Sequence, residues 1–416
     1  MHYELSTLPN GLRVITQDMP SVHSATIGAW VDTGSRDETP AEAGCSHFLE
    51  HLLFKGSDKM TAHQIAEGFD AIGARHNAFT SKEYTVYWAK LRAADLAYAV
   101  DVFGEMLRQP AFRQEEIDSE RHVVLEEINM NEDDPTDVAH ELFVRKLWAE
   151  HPLSPPILGT RDSITGMARD TIAGYWRRRY TPKSIVIAAA GRIDHEQLVA
   201  MIGEAFADWD GDEIGRDHVA TDSPQGVSLR TKDTEQAHLV LGNRSLKRSD
   251  ERRFAADVVD HVLGSGMSSR LFREVREQRG LAYAVHSFRI PFAETGANAI
   301  YVGTTPTQAP EVLKLLRTEL DKIVSTGLTE EELERAKGHV RGSLALSLED
   351  SNSRMSRLGR NELTGIEHLS VDEVIERIDA VTLADTVEVA TAMYSGPFVL
   401  GAVGPFEPGE LASYVA

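Results

Sequence analysis

The apolar positions divide the chain into two stretches that repeat one order of elements. Pro9-Asn10-Gly11-Leu12 places Asn-Gly between apolar runs, a hairpin signal, and Ser24 to Val31 reads as a strand. Ala43 to Phe54 carries apolar residues at helical spacing, and a second helix follows Thr61, a suitable N-cap. Tyr84 to Ala89 is rich in β-branched and aromatic residues and predicts a strand. Leu96 to Leu107 predicts an amphipathic helix stopped near Pro110. Gln114 to Asn131 predicts a long charged helix that Asp134-Pro135 ends or interrupts. An apolar strand at Ser184 to Gly191 and a helix at His195 to Phe206 come next.

The stretch from Asp208 to Gly226 is polar, acidic and rich in Asp and Gly, and marks a boundary. Beyond it the grammar restarts. A strand is expected at Ala237 to Gly242 and a helix at Asp250 to Leu263, with a Gly/Ser loop leading into Ser269 to Gln278. Strands are expected near Tyr283 to Phe288 and Ala299 to Gly303, then helices at Ala309 to Ser325 and Thr329 to Leu346. Ser395 to Gly404 echoes the apolar strand at Ser184. The fold predicted is α+β, with two similar domains at residues 1–210 and 226–416 and a linker at 211–225. Each would be an antiparallel sheet with helices packed on one face.

Composition narrows the function. With 42% hydrophobic and 26% charged residues in 416, a mainly disordered chain is excluded. No run approaches the roughly 20 apolar residues of a membrane helix. The net charge of −22, with no Lys/Arg cluster, argues against nucleic acid and anionic lipid as partners. Basic peptides would be attracted. The single cysteine, Cys45, cannot form an internal disulfide; it reads as a small buried residue and fits a reducing compartment. The first residues carry no basic start followed by an apolar run, so no secretory leader and a cytoplasmic location are expected.

The chemistry lies in Ala43 to Gly56, which contains His47-Phe48-Leu49-Glu50-His51. Two histidines four apart on a helix project from one face and can hold one zinc ion, and Glu50 can reach the water position without being a ligand. This is the inverted zincin pattern, in which a nearby carboxylate takes the proton of an activated water. A third ligand is needed. Glu126 and Glu127 point about 100° apart on a helix, so both cannot face the metal. Glu120 and Glu127 are seven apart and share a face. Either Glu127 binds zinc with Glu120 behind it, or the helix is simply acidic.

Gly44 to Gly56, the Glu120–Glu127 segment, Asn77 to Glu83 and Ser268 to Tyr283 together resemble the pitrilysin and mitochondrial processing peptidase family. The resemblance implies one zinc per chain held by His47, His51 and Glu127, with Glu120 as a supporting carboxylate and Glu50 as the catalytic base. It further implies that Asn77 and Ala78 lie on a substrate-clamping edge strand. Arg276 and Tyr283 would be catalytic as well, contacting the peptide near the scissile bond, where one or the other helps zinc stabilise the oxyanion. Asp137 and Glu141 would hold an arginine just before the cut. Gly264-Ser265-Gly266 lacks a following Gly-Lys-Ser/Thr and supports no nucleotide site. With the zinc motif and the Arg/Tyr pair in one chain, the likeness is to the bacterial single-gene members. Those members form homodimers, so the resemblance implies a homodimer here too, a clamshell in which each zinc site would face the second domain of the other chain. The activity implied is that of a zinc endopeptidase on short or unfolded peptides. The rivals are a non-catalytic core subunit and a zinc protein that binds peptides without turnover.

Overall fold

A computed structural model describes residues 2–219, 222 and 224–415. It contains two compact units. The first comprises residues 1–129, 155–217 and 345–370, and the second comprises 130–154, 218–344 and 371–416. Each unit therefore takes segments from both sides of the expected linker. The two-domain α+β class holds, and the reason for the exchanged segments lies in the sheets.

The first unit is built on six strands: β1 (Glu4–Thr7), β2 (Arg13–Asp18), β3 (Ser24–Val31), β4 (Arg75–Thr80), β5 (Thr85–Arg92) and β6 (Ile185–Gly191), in the order β1-β2-β6-β3-β5-β4. The second has five: β7 (Gly226–Thr231), β8 (Ala237–Ser245), β9 (Ala282–Pro291), β10 (Gly296–Thr304) and β11 (Val399–Gly404), in the order β7-β11-β8-β10-β9. Both sheets are mixed, not antiparallel. β6 is inserted between β2 and β3, antiparallel to β3 and parallel to β2. β11 sits in the same way between β7 and β8. A strand placed between two oppositely directed neighbours must run parallel to one of them.

Helices also cover both faces of each sheet, where one face was expected. Every residue of β6 is buried. Ile185, Ile187 and Ala189 face one core, while Val186, Ala188 and Ala190 face another. With side chains alternating at period 2, a strand apolar at every position needs cover on both sides. In the first unit that cover is helix Ser351–Thr364, whose Met355 and Leu358 pack on Ile15, Trp30 and Val186. In the second it is helix Pro135–Trp148, whose Val138, Ala139, Phe143 and Leu147 pack on Val240, Ala299, Val399 and Val403. Sequence position assigns each of these helices to the other half, and burial of the sheet decides where it goes.

This packing is close. A Cβ on Gly359 would lie 2.2 Å from Trp30 Nε1 and 2.4 Å from Trp30 Cδ1, and Trp30 is buried with Nε1 donating to Met355 Sδ at 3.3 Å. Gly359→Ala is expected to destabilise the first unit by roughly 1–3 kcal/mol through overpacking. Gly342→Ala is the control: nothing lies within 4 Å of its added Cβ, in helix Glu330–Ser347. It should be neutral or stabilising by up to about 1 kcal/mol. Denaturant midpoints at unchanged slope check both, and equal effects would refute the packing argument.

Among the described residues, no helix is long and apolar enough to cross a membrane.

Candidate metal centre

Helix Cys45–Leu53 presents two kinds of position. Cys45, Ser46, Phe48, Leu49, Leu52 and Leu53 are buried in the first core, while His47, Glu50 and His51 are only partly buried. The apolar stripe thus orients the helix so that these three side chains share the opposite face. The helix start is held by Glu38, whose carboxylate accepts the Gly44 and Ser46 N–H groups at 2.7 Å each.

Helix Gln114–Asp133 buries Ile117, Glu120, Val124 and Ile128, which brings Glu120 and Glu127 to the histidines. His47 Nε2 lies 3.4 Å and His51 Nε2 3.6 Å from Glu127 Oε2. His51 Nδ1 donates to Glu120 Oε2 at 3.0 Å, and Lys55 Nζ donates to Glu120 Oε1 at 2.6 Å. Because Nδ1 carries the proton, the lone pair of neutral His51 is on Nε2, facing Glu127. Glu126 is exposed and accepts from Asn129 Nδ2 at 3.3 Å. Of the two neighbouring glutamates, only Glu127 joins the histidines.

Glu127 Oε2 is buried and has no hydrogen-bond partner, although two ring nitrogens face it. A buried acceptor in that state is costly unless a water or a cation sits among the three atoms, and two neutral ring nitrogens turned toward the same carboxylate oxygen suit a cation. The donor set of two imidazole nitrogens and one carboxylate oxygen is that of a catalytic zinc site with a position left for water. The residues present fit zinc. It is the one group of three or more such ligands among the described residues.

Glu50 sits beside this cluster, with Oε2 accepting from Thr80 Oγ1 at 2.6 Å. Burial pushes its carboxyl up from the ordinary range, and the Thr80 hydrogen bond and the His51 charge hold it part of the way down. The two imidazoles are driven apart. Burial and the His51 charge lower His47 to about 4. Burial would also depress His51, but Glu120, through its hydrogen bond, and the charges of Glu127 and Glu50 outweigh it and raise the ring.

Asn77 and Ala78 lie on β4, at the edge of the first sheet, with Asn77 Oδ1 accepting from Ala78 N at 2.8 Å. Arg276 and Tyr283 belong to the second unit. The Arg276 guanidinium lies 4.6 Å from the Tyr283 ring centroid and 4.8 Å from that of Phe272, and Tyr283 is 77% exposed. Asp137 and Glu141 lie on helix Pro135–Trp148, also in the second unit, where Asp137 is exposed and Glu141 is 3.4 Å from Arg145. Two contributors to the metal centre escape sequence reasoning, Thr80 and Lys55. Lys55 stands four residues after His51, a spacing that offers a signal; Thr80 is 30 residues from Glu50 and offers none.

Comparison with known proteins gives the lineage. Residues 13–161 match Insulinase (Peptidase family M16), and residues 166–339 match the Peptidase M16 inactive domain. A protein of Streptomyces coelicolor, named an uncharacterized zinc protease, is 44% identical over 97% of this chain and 89% of its own length. The chain belongs to peptidase family M16. An uncharacterized zinc protease of Bacillus subtilis is 39% identical over 96% of this chain and 97% of its own. The M16 fold recurs in a crystal structure titled peptidase M16 inactive domain from Pseudomonas fluorescens. Its TM-score is 0.92 at 19% identity, covering 98% of each chain. A protease from Helicobacter pylori has a TM-score of 0.90 at 22% identity, covering 97% of this chain and 99% of that one. The inactive-domain match begins at residue 166, beyond His47, His51 and Glu127. The name therefore does not bear on the metal centre.

Proposed function

We propose that this M16 chain is a zinc endopeptidase acting on short or unfolded peptides. One observation carries the reading: His47 Nε2, His51 Nε2 and the buried, unpartnered Glu127 Oε2 converge beside Glu50. Zinc, when bound, supplies a Lewis acid that polarises the scissile carbonyl and acidifies water. Glu50 takes a proton from the attacking water and returns it to the leaving amine. Glu120 holds His51 in the tautomer that leaves Nε2 free. The edge of β4 at Asn77 and Ala78 receives the peptide as an added strand. Arg276 and Tyr283 are assigned to peptide contact. Asp137 and Glu141 are assigned to recognition of an arginine two residues before the cut, since paired carboxylates suit the five donors of a guanidinium.

A mixed peptide library, cleaved with and without a chelator, tests this. Cleavage should stop on chelation and return with zinc. Zinc binding without cleavage would instead support a peptide-binding role. The same profile reads specificity. Arginine should exceed alanine about tenfold in kcat/KM, roughly 1.4 kcal/mol, and Asp137→Asn/Glu141→Gln should erase the preference. A wild-type ratio near one would remove that assignment and leave the metal chemistry untouched. We also propose a homodimer, which sedimentation equilibrium decides.

A further inference from the structure

We infer that Thr80 is the positioning residue for Glu50: its hydroxyl anchors one carboxylate oxygen and so leaves the other to take the proton. The inference rests on the peptidase reading above. The bond from Thr80 Oγ1 to Glu50 Oε2 is 2.6 Å, and the hydroxyl must be the donor to a carboxylate. Thr80 is the last residue of β4, three and two positions after Asn77 and Ala78. The anchor of the base and the proposed docking edge thus share one strand.

The turn just beyond Thr80 makes the hydroxyl a fixed point. Ser81 N donates to Tyr84 O at 2.9 Å, and Ser81 Oγ donates to the same carbonyl at 2.8 Å. Ser81 O accepts from Ser35 N at 3.1 Å, and Lys82 O accepts from Arg36 N at 3.0 Å. Arg36 Nη1 and Glu83 Oε1 form a fully buried ion pair at 2.6 Å. Arg216 donates to Glu83 O at 2.8 Å while it binds both Asp37 oxygens at 2.8 and 2.7 Å. Segments distant in sequence therefore clamp residues 81–84. Glu50 itself has a long, rotatable side chain on a helix face. Tying one oxygen to this clamped turn removes the rotational freedom that would let the carboxylate swing from the reacting water. A misplacement of about 1 Å is enough to cost on the order of 100-fold in rate. Thr80 touches none of the three metal ligands through a hydrogen bond that the structure shows, so its effect should fall on turnover and not on metal affinity.

The test compares Thr80→Val, which keeps shape and backbone but removes the hydroxyl, with Thr80→Ser, which keeps the hydroxyl. Thr80→Val should lower kcat tenfold or more with KM within about twofold of wild type. Its zinc affinity, by chelator competition, should stay within about threefold. The affinity of its zinc-free form for an uncleaved peptide should stay within about twofold, because Asn77 and Ala78 remain. Thr80→Ser should keep kcat within about threefold of wild type. Near-normal kcat in Thr80→Val would overturn the inference. So would a loss carried by KM or by peptide affinity, or equal damage in Thr80→Ser, each of which points to strand integrity instead. Wild type that fails to cleave would refute the peptidase reading and this inference together, whereas active wild type with unimpaired Thr80→Val refutes this inference alone.

Discussion

Glu50→Gln is expected to lower kcat by about 10²–10⁴-fold while zinc affinity stays within a few-fold of wild type. The glutamine keeps the shape and can still accept the Thr80 hydrogen bond, which is 2.6 Å in the native protein. It cannot take a proton from water, because an amide oxygen is far too weak a base. Glu50 is not among the three converging ligand atoms, so the metal should remain. Metal analysis of the purified variant and single-turnover kinetics on a quenched peptide separate the two effects. Near-normal turnover would mean that Glu50 is not the base.

Glu127→Gln should lose both metal and activity. The carboxylate supplies the only charge in the set of His47, His51 and Glu127, and its Oε2 is the atom that both ring nitrogens face at 3.4 and 3.6 Å. Zinc affinity should fall by more than about 100-fold, beyond the 10–100-fold typical for groups that only support a ligand. Glu126→Gln should change neither quantity by more than about twofold, since Glu126 is exposed and bonded to Asn129. Metal content of the two variants, measured side by side, decides the matter. The reverse pattern would sink the assignment, and equal losses would indicate damage to the helix.

Much of this is legible in the chain because it is local. The apolar spacing of Cys45 to Leu53 alone dictates that His47, Glu50 and His51 share the face turned from the core, and the observed burial agrees with it. The hairpin at Asn10-Gly11, the Thr61 cap and the strand at β6 arise from residue type and period in the same way. The seven-residue register of Glu120 and Glu127 is visible too, but not what that face meets.

Long-range packing decided the rest. Helical period sets Glu126 apart from Glu127. Only the docking of Ile117, Val124 and Ile128 into the core turns Glu127, and not an acidic surface, toward the histidines. The uniformly apolar β6 and β11 announce burial on two sides without saying which helices provide it. Those helices, Pro135–Trp148 and Ser351–Thr364, come from distant chain positions because covering an apolar sheet face is favourable whatever the sequence separation. The parallel pairings result from where β6 and β11 insert, a choice that alternation within a strand does not encode. Thr80 meets Glu50 for the same reason: hydrogen-bond geometry between a strand end and a helix face exists only once both are packed.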